Sequence, residues 1–489
     1  MTNIQDAAKT GGPSTMPAHD SQSFSALGVP ANLIEVLAPR GITSPTPIQA
    51  ATLPDSLAGR DVLGRGRTGS GKTYAFMLPT AARLADGAAP TARRPRSLVL
   101  APTRELALQL AESFEPLGAA NGLSATTIFG GVGQNPQVKA LQRGIDVLVA
   151  CPGRLLDLMG QGHVDLSGVE ILIIDEADHM ADMGFLPMVR RILDQVAPSA
   201  QKMLFSATLD AGVGVLVKKY LDSPVVHEAD SATSPVAKMD HHVLTVDGDA
   251  RLTALTNICA ADGQAIVFTR TKHGAKRLAK QLRQRGVAAL ELHGNLSQNA
   301  RSRNLNAFHQ GSATTLVATD IAARGIHVDD VALVVHADPP AEHKAYLHRS
   351  GRTARAGQAG IVITMAPTTA QGEVRQLMKA AKISPTVHSN GASKDLLSDL
   401  VPGHRTFLEP AELEQVLAVA TPAPQPQSSK RGGSKHRSGQ RNGQSQRSRS
   451  GQRNNARAIT RAQGPASVLR TDVVHRVRLE ASRSGPLLR

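Results

Sequence analysis

A glycine-rich loop is the feature that most restricts the fold of this chain. Residues 66–73 read Gly-x4-Gly-Lys-Thr, follow the apolar pair Val62-Leu63 and precede an apolar segment that begins at Tyr74. Between a strand and a helix, the backbone N–H groups of such a loop point at a phosphate chain, and the helix N-terminus favours negative charge. A flexible surface loop is the alternative, and this position disfavours it. The pattern predicts a nucleoside triphosphate site in which Lys72 reaches the β- and γ-phosphates and Thr73 binds Mg²⁺.

Short apolar runs of strand length recur along the chain and alternate with helix-like segments such as 105–115, 186–196 and 273–285. The runs are 98–100, 147–149, 171–174 and 203–205, then 265–268, 315–318, 332–335 and 361–363. Strands that are apolar throughout are typical of a parallel sheet covered on both faces. We therefore predict an α/β fold with two tandem domains, of which only the first carries the glycine loop. The predicted boundaries are a disordered leader at 1–22, domains at 23–226 and 241–385, a linker at 227–240, and a helical or irregular extension at 386–420.

The composition excludes several classes of protein. The two cysteines, Cys151 and Cys259, are far apart and lack CxxC spacing, so neither a disulfide framework nor a zinc site is supported. This cysteine usage suits a reducing cytosol, and we expect a cytoplasmic protein. The first residues are polar and lack the apolar region of a secretory signal, and no apolar run is long enough to cross a bilayer. We therefore expect no membrane partner.

An acidic cluster, Asp175-Glu176-Ala177-Asp178, directly follows the apolar run 171–174. The carboxyl end of a strand is where an open α/β sheet binds ligands. A carboxylate at this point can complete the Mg²⁺ shell begun by Thr73, and its neighbour can accept a proton from an attacking water. A solvated acidic turn is the alternative interpretation. The glycine loop in the same domain favours the catalytic one.

A basic segment in the second half, residues 348–355, reads His-Arg-Ser-Gly-Arg-Thr-Ala-Arg. Arg352 and Arg355 are three residues apart and would share a face if the segment were helical. Arginines on a second domain, opposite a phosphate site, can stabilise transition-state charge when the domains close. An exposed basic helix is the competing interpretation.

Together these segments resemble the DEAD-box ATP-dependent RNA helicases of superfamily 2. The resemblance covers roughly residues 24–382, in the family's order and at similar spacing. The Asp-Glu-Ala-Asp segment has the family's literal sequence. The other matching segments are 41–49 with Phe24 upstream (Q motif), 102–107 (motif Ia), Gly130-Gly131, 152–154 (motif Ib), 206–208 (motif III), 266–271 (motif IV), 298–301 (QxxR), 318–325 (motif V) and 348–355 (motif VI).

The resemblance implies two RecA-like domains that close on ATP, Mg²⁺ and single-stranded RNA together. It implies catalytic roles for Lys72, Asp175, Glu176, Arg352 and Arg355, with Asp175 and Thr73 as the metal residues. Gln49 would read the adenine edge. The other expected residues are, for the nucleotide, Thr46, Gly69, Ser70, Gly71, Lys72 and Thr73; for coupling, Asp178, Ser206, Thr208 and His348; and for RNA, Arg104, Gly131, Arg154, Thr319 and Asp320.

The activity implied is RNA-stimulated ATP hydrolysis that locally unwinds or remodels RNA duplexes and RNA–protein complexes. Single-stranded and duplex RNA are the expected partners, and ribosomal or RNA-decay proteins are candidates. An ATP-gated RNA clamp or annealing scaffold is the main alternative, and a DNA translocase of the same superfamily is a third. The two-domain core with a short basic tail resembles the bacterial RhlE-like branch.

Four positions depart from the family pattern. Ile42 stands where an aromatic side chain normally packs on adenine, so we expect lower ATP affinity. Cys151 replaces a threonine of motif Ib, His327 replaces an aspartate of motif V, and Ala354 replaces a glycine of motif VI. None of these changes removes a residue with an expected catalytic role.

The net charge of +15 is concentrated at the C-terminus. Residues 421–489 contain fifteen Lys or Arg against Asp472 and Glu480, with no aromatic residue, which leaves about +2 for the rest of the chain. Such a segment cannot bury a core, and we expect a disordered basic tail. It can neutralise phosphates without reading bases, so the tail is expected to tether RNA. A purely solubilising extension is the alternative.

Overall fold

The computed structural model describes residues 23–66, 69–209, 211–228, 239–323, 326, 328, 331–354, 359–389 and 393–419. The predicted leader, most of the predicted linker and the basic tail lie outside the described residues, as do Arg355 and His327. In the described part of the chain, the strands form two seven-stranded sheets, and both belong to one compact unit.

The first domain is a parallel sheet in the order β3-β4-β2-β5-β6-β1-β7. Its strands are Val62–Arg65 (β1), Ser97–Leu100 (β2), Ala125–Ile128 (β3), Val147–Ala150 (β4), Ile171–Ile174 (β5), Gln201–Ser206 (β6) and Val225–Glu228 (β7). Its helices are Ala31–Leu37 (α1), Pro47–Leu57 (α2), Lys72–Leu84 (α3), Arg104–Ala120 (α4), Asn135–Arg143 (α5), Pro152–Gly160 (α6), Ala177–Asp182 (α7), Leu186–Leu193 (α8) and Ala211–Tyr220 (α9).

The apolar strands are buried because helices cover both faces of this sheet. On β2, Val99 packs in one buried cluster while Leu98 and Leu100 pack in the other. On β5, Ile173 packs in the same cluster as Val99, and Leu172 packs in the same cluster as Leu98 and Leu100. Each strand therefore serves two cores at once, which is why its sequence is apolar throughout instead of alternating.

The second domain repeats this topology in the order β10-β11-β9-β12-β13-β8-β14, which is the first order with every number raised by seven. Its strands are Met239–Thr245 (β8), Ala265–Thr269 (β9), Ala289–Leu292 (β10), Thr315–Thr319 (β11), Leu333–His336 (β12), Gly360–Ala366 (β13) and Thr386–His388 (β14). Its helices are Gly248–Cys259 (α10), Lys272–Arg283 (α11), Gln298–His309 (α12), Asp320–Ala323 (α13), His343–Ser350 (α14), Gln371–Ala381 (α15), Lys394–Leu400 (α16) and Pro410–Val419 (α17). Two 3₁₀ turns lie at Ala38–Arg40 and Thr368–Ala370.

Each predicted apolar run coincides with or overlaps a strand, but the sequence interpretation missed five strands. Four of the five, β3, β7, β10 and β14, are the outer strands of the two sheets. An outer strand is only partly covered, so its sequence carries polar side chains; β3 reads Ala-Thr-Thr-Ile. The fifth, β8, contains Asp240, His241 and His242, and its first residues lie in the predicted linker.

The second sheet extends beyond the predicted boundary at residue 385, because β14 pairs with β8. Leu397 of α16 and the following Val401 are buried in the same cluster as Leu255 of α10. The segment predicted as an extension therefore packs on the second domain. In the described part of the chain, no helix combines the length and the hydrophobicity needed to cross a bilayer.

Candidate nucleotide and RNA site

The predicted nucleotide residues meet at one edge of the first sheet. Strands β5, β6 and β1 are neighbours and parallel, so their carboxyl ends lie side by side. Asp175 follows β5, Ser206 ends β6, and Gly66 follows β1. The topology thus brings together the glycine loop, the acidic segment and the Ser-Ala-Thr segment, as the strand-end argument predicted.

The glycine loop needs glycine at Gly71, where it enters α3. Gly71 has a φ of 92°, and a Cβ at this position would lie 2.5 Å from Thr46 Oγ1 and 2.7 Å from the side-chain nitrogen of Gln49. Gln49 is buried, donates from Nε2 to the Gly71 carbonyl at 2.8 Å, and accepts at Oε1 from the Thr46 amide at 2.9 Å. Gln49 therefore ties the predicted Q motif to the phosphate loop; its contact with adenine stays a prediction.

The loop fits a chain of phosphates. Lys72 is buried, and its Nζ donates to the Gly66 carbonyl at 2.6 Å. The Ser70 hydroxyl is buried and lacks a hydrogen-bond partner in the described part of the chain, whereas Thr46 forms a capping box with Gln49 at the start of α2. Unpaired buried hydroxyls are costly unless a ligand satisfies them. With Gly69 in the left-handed region and Thr73 in the first turn of α3, these groups form a cradle suited to phosphate oxygens.

The two acidic residues at the end of β5 have different environments. Both Asp175 and Glu176 are deeply set, and burial raises the pKa of Asp175 against the opposing charge of Lys72. Burial alone would raise the pKa of Glu176. Its pKa is nevertheless below the ordinary value, because of the hydrogen bond and charge of His179 and the charges of Lys72 and Arg352. His179 Nδ1 lies 3.0 Å from Glu176 Oε2. Sequence reasoning missed His179, although its i+3 spacing from Glu176 was a usable signal.

The residues proposed for Mg²⁺ form an open set. Among the described residues, no group of three or more His, Cys, Asp or Glu side chains could hold a metal. Mg²⁺ is commonly held by one or two carboxylates together with water and substrate phosphates. Thr73 and Asp175 fit such a site, in which the nucleotide would supply the remaining oxygens.

The predicted coupling residues are bonded to one another. The Asp178 carboxylate accepts from the Thr208 amide at 2.9 Å and from the Thr208 hydroxyl at 3.0 Å. The Asp178 amide donates to Ser206 Oγ at 3.3 Å, and that hydroxyl donates to the Thr208 carbonyl at 2.7 Å. The start of α7 is thereby fastened to the end of β6, so a movement of one is transmitted to the other.

The basic segment of the second domain is helical only in its first part. Helix α14 ends at Ser350, and Arg352 follows in a turn with Nη1 donating to the Ile326 carbonyl at 2.8 Å. The shared face was expected only if the segment were helical; Arg352 lies beyond the end of α14, and Arg355 lies outside the described residues. The buried Arg352 adds to the lowering of the Glu176 pKa, after the larger contributions of His179 and Lys72. His348 and Arg352 line one small cavity with Asp320.

The predicted RNA residues of the first domain lie together beyond the ends of β2, β3 and β4. The guanidinium of Arg104 occupies the space that a side chain on Gly131 would need, and Gly131 has a φ of 78°. Arg154 donates to the carbonyl of Val132 at 3.3 Å. The structure thus brings Arg104, Gly131 and Arg154 to one surface.

In the second domain, Thr319 ends β11 and Asp320 begins α13. Asp320 accepts two hydrogen bonds from Arg349, one of them from Nη2 at 2.7 Å. Arg349 also donates to the Asp338 carbonyl at 2.8 Å and stacks 5.1 Å from the centre of the Phe268 ring. Sequence reasoning missed this pairing. It means that the Asp320 carboxylate is held by protein, and its contact with RNA stays a prediction.

Comparison with known proteins bears on the identity of this site. Residues 46–214 match the family model described as DEAD/DEAH box helicase, and residues 250–357 match the helicase conserved C-terminal domain. DEAD-box ATP-dependent RNA helicase 20 of Arabidopsis thaliana is 36% identical over 387 residues, covering 76% of this chain and 76% of that protein. The chain belongs to the DEAD-box helicase family.

Other DEAD-box relatives are longer than this chain. DEAD-box ATP-dependent RNA helicase 30 of A. thaliana is 38% identical over 368 residues, 73% of this chain but 61% of that protein. ATP-dependent rRNA helicase RRP3 of Mycosarcoma maydis is 41% identical over 345 residues, 70% of this chain and 61% of that protein. These relatives are eukaryotic and do not support the bacterial RhlE-like branch.

A solved DEAD-box structure confirms the predicted architecture. S. cerevisiae Dbp5 bound to RNA and ADP BeF3 superposes with a TM-score of 0.67 at 26% sequence identity, covering 81% of this chain and 100% of that chain. Two tandem RecA-like domains are therefore the fold of this DEAD-box protein.

Proposed function

We propose that this protein is an ATP-dependent RNA helicase, which couples RNA-stimulated ATP hydrolysis to local unwinding or remodelling of RNA duplexes and RNA–protein complexes. The observation that carries the proposal is the pairing of two half-sites. The glycine loop and the acidic segment converge at neighbouring strand ends of the first domain. The second domain, which carries Arg352, contacts the first through the ion pair of Arg301 with Glu105 at 2.7 Å.

In the proposed reaction, ATP and Mg²⁺ are the cofactors. Gly69, Ser70 and Gly71 bind phosphate oxygens through the loop, while Lys72 exchanges the Gly66 carbonyl for the β- and γ-phosphates. Thr73 and Asp175 would hold Mg²⁺, which when bound would neutralise phosphate charge. Glu176 orients the attacking water and accepts its proton. Arg352, together with Arg355, stabilises charge on the transferred phosphoryl group from across the cleft.

The proposed RNA path crosses both domains at their strand ends. Arg104, Gly131 and Arg154 bind one stretch of backbone, and Thr319 binds the next. Asp320, which Arg349 holds in place, contacts the RNA beside Thr319. Contacts to phosphates and 2′-hydroxyls instead of bases would make binding tolerant of sequence. RNA bound across both surfaces would stabilise the closed arrangement, and Asp178, Ser206, Thr208 and His348 would relay closure to the nucleotide.

A strand-displacement assay tests the proposal. The wild-type protein should hydrolyse ATP faster with single-stranded RNA and should separate a short RNA duplex, whereas Glu176→Gln should bind ATP without turnover. Equal duplex loss in both proteins would instead favour the ATP-gated clamp. Stimulation by duplex DNA but not by RNA would favour the DNA translocase.

The remaining proposals concern parts that the structure does not describe. We infer that the tail at 421–489 tethers RNA by charge alone. Deleting residues 422–489 should lower RNA affinity and flatten its dependence on salt; an unchanged salt dependence would contradict tethering. A cytoplasmic location and ribosomal or RNA-decay partners remain proposals, and crosslinking in cells followed by sequencing of the bound RNA would test the process involved.

A further inference from the structure

His179 lies where it can control the orientation of Glu176. It sits on the first turn of α7, three residues after Glu176, and its Nδ1 lies 3.0 Å from Glu176 Oε2. Both side chains are largely withdrawn from solvent, with 6% of His179 and 12% of Glu176 exposed. Water therefore competes little for this contact.

The backbone at Glu176 supports the same contact. Glu176 precedes α7 with φ 50° and ψ 52°, a left-handed conformation that an L-residue adopts at a cost of about 1–2 kcal/mol. A residue with this strain at a reactive site is held by its surroundings. The hydrogen bond to His179 is the side-chain contact that fixes the carboxylate end.

The second imidazole nitrogen of His179 argues against a role in packing alone. His179 Nε2 is buried and has no hydrogen-bond partner in the described part of the chain. A half-satisfied buried imidazole costs free energy that an apolar side chain of the same size would avoid. Packing alone therefore does not explain a histidine here, whereas a donor at Nδ1 does.

We propose that His179 is a positioning residue for ATP hydrolysis, which holds Glu176 Oε2 through Nδ1–H so that Oε1 is left to bind the attacking water. This inference rests on the proposed function, because it needs Glu176 to act as the base. It assigns a role to the residue directly after the Asp-Glu-Ala-Asp segment. In this proposal His179 acts through Glu176 and is not itself a catalytic residue.

Three substitutions separate this role from a structural one. In His179→Asn the amide nitrogen occupies the position of Nδ1, in His179→Gln the donor lies one bond further out, and His179→Leu has no donor. At saturating RNA, we expect kcat for ATP to fall about tenfold in the leucine and glutamine variants and to stay within about threefold of wild type in the asparagine variant. KM for ATP should change little, because the affected interaction belongs to the chemical step.

A structural role would give a different result. It would lower the melting temperature in the order of lost packing, and kcat would not differ between the asparagine and glutamine variants. If His179→Leu does not fold, the asparagine and glutamine pair still decides the question. Equal kcat values in those two variants, or a leucine variant as active as wild type, would overturn the proposal.

A second readout does not depend on turnover. In ligand-free protein labelled with ¹⁵N-histidine, the signal missing from His179→Asn identifies His179, and its nitrogen shifts report which atom carries the proton. We expect a protonated Nδ1 whose shift changes in Glu176→Gln; an unprotonated Nδ1 would contradict the contact. Absence of RNA-stimulated hydrolysis in the wild-type protein would instead overturn the proposed function and leave this measurement valid.

Discussion

Glu105 of the first domain and Arg301 of the second form a buried ion pair, with Arg301 Nε 2.7 Å from Glu105 Oε1. Gln298 also donates to Glu105 Oε1 at 3.1 Å and accepts from Arg104 at 3.3 Å. Arg104 is a residue that we propose to bind RNA. One side-chain network therefore links the contact between the domains to the proposed RNA surface. A change in that contact should alter RNA binding, and RNA binding should alter the contact.

Breaking this pair should separate the domains. Removing one partner of a buried ion pair leaves the other charge buried and unpaired, at a cost of about 3–5 kcal/mol. If the two domains move apart, that charge becomes hydrated and the cost is avoided. In Glu105→Gln we therefore expect a larger radius of gyration by small-angle scattering and RNA-stimulated kcat/KM reduced at least tenfold. ATP affinity without RNA should be unchanged.

The exposed pair Lys219–Asp194 is the matched control, with 54% and 47% of its side chains exposed. Exposed pairs contribute little, so Lys219→Gln should leave both measurements unchanged. A Glu105→Gln protein as compact and as active as wild type would show that the pair does not hold the domains together.

Adenine binding should improve when an aromatic ring replaces Ile42. This side chain is half-buried beside the first core cluster, at the position where the family has an aromatic residue. Stacking on a base adds about 0.5–1.5 kcal/mol, so Ile42→Phe should lower the Kd for ATP about twofold to tenfold by calorimetry. Val36→Phe, in the same cluster but on α1, should not tighten binding. Unchanged affinity in Ile42→Phe would mean that residue 42 does not face the base.

Ala354 carries backbone strain that glycine would relieve. It is buried with φ 56°, where an L-residue costs about 1–2 kcal/mol. Glycine also raises the entropy of the unfolded chain, which offsets about 0.4–1 kcal/mol of that gain. We expect Ala354→Gly to increase the free energy of unfolding by up to about 1 kcal/mol in urea titrations.

Two control substitutions show how glycine changes the free energy of unfolding at a left-handed position and within a helix. Lys382 is exposed with φ 58°, and Lys382→Gly should also be stabilising. Ala380 lies within α15, and Ala380→Gly should be destabilising by about 1 kcal/mol. If Ala354→Gly behaves like Ala380→Gly, the strain is compensated by contacts of the methyl group.

Acid should destabilise the second domain through buried histidines. Burial lowers the pKa of His241 to about 4 and lowers the pKa of His336 well below its ordinary value. The unfolded chain still binds protons at the ordinary pKa of 6.5, so acidification from pH 6.5 towards 4 favours unfolding. The free energy of unfolding falls by at most about 1.4 kcal/mol per pH unit for each histidine, and this decrease is absent above pH 6.5.

The measurement is the free energy of unfolding between pH 7.5 and 5. His241→Asn retains a donor near the Tyr346 hydroxyl, 2.8 Å from His241 Nδ1, while it removes one titrating group. Its stability should fall less steeply on acidification than that of the wild type. His404→Asn, at an exposed position, should leave the slope unchanged. Parallel slopes for His241→Asn and wild type would show that His241 is protonated in the folded protein.

The elements that sequence analysis predicted best are those whose signal is local. The apolar run at 171–174 coincides with β5, and the glycine loop precedes α3 as expected, because burial on both faces and left-handed backbone leave direct marks in the sequence. The outer strands were missed because they are partly exposed, so their sequences are not apolar throughout. Glu105 and Arg301 are 196 residues apart, and their contact depends on how two domains meet, which no local pattern encodes. Asp320 illustrates the same limit, since Arg349 holds it from 29 residues away.

The repeated strand order makes this chain comparable to two neighbouring subunits of a ring ATPase joined covalently. Under the proposed function, one copy binds the nucleotide and the other supplies the arginine. In a ring of separate subunits, that arginine is lost on dilution. Here the two copies are joined by the short stretch between β7 and β8, which sets an effective concentration of roughly millimolar whatever the protein's abundance. Under the proposed function, the second half of the nucleotide site is therefore supplied within the same chain, and RNA is the proposed component that stabilises the closed arrangement.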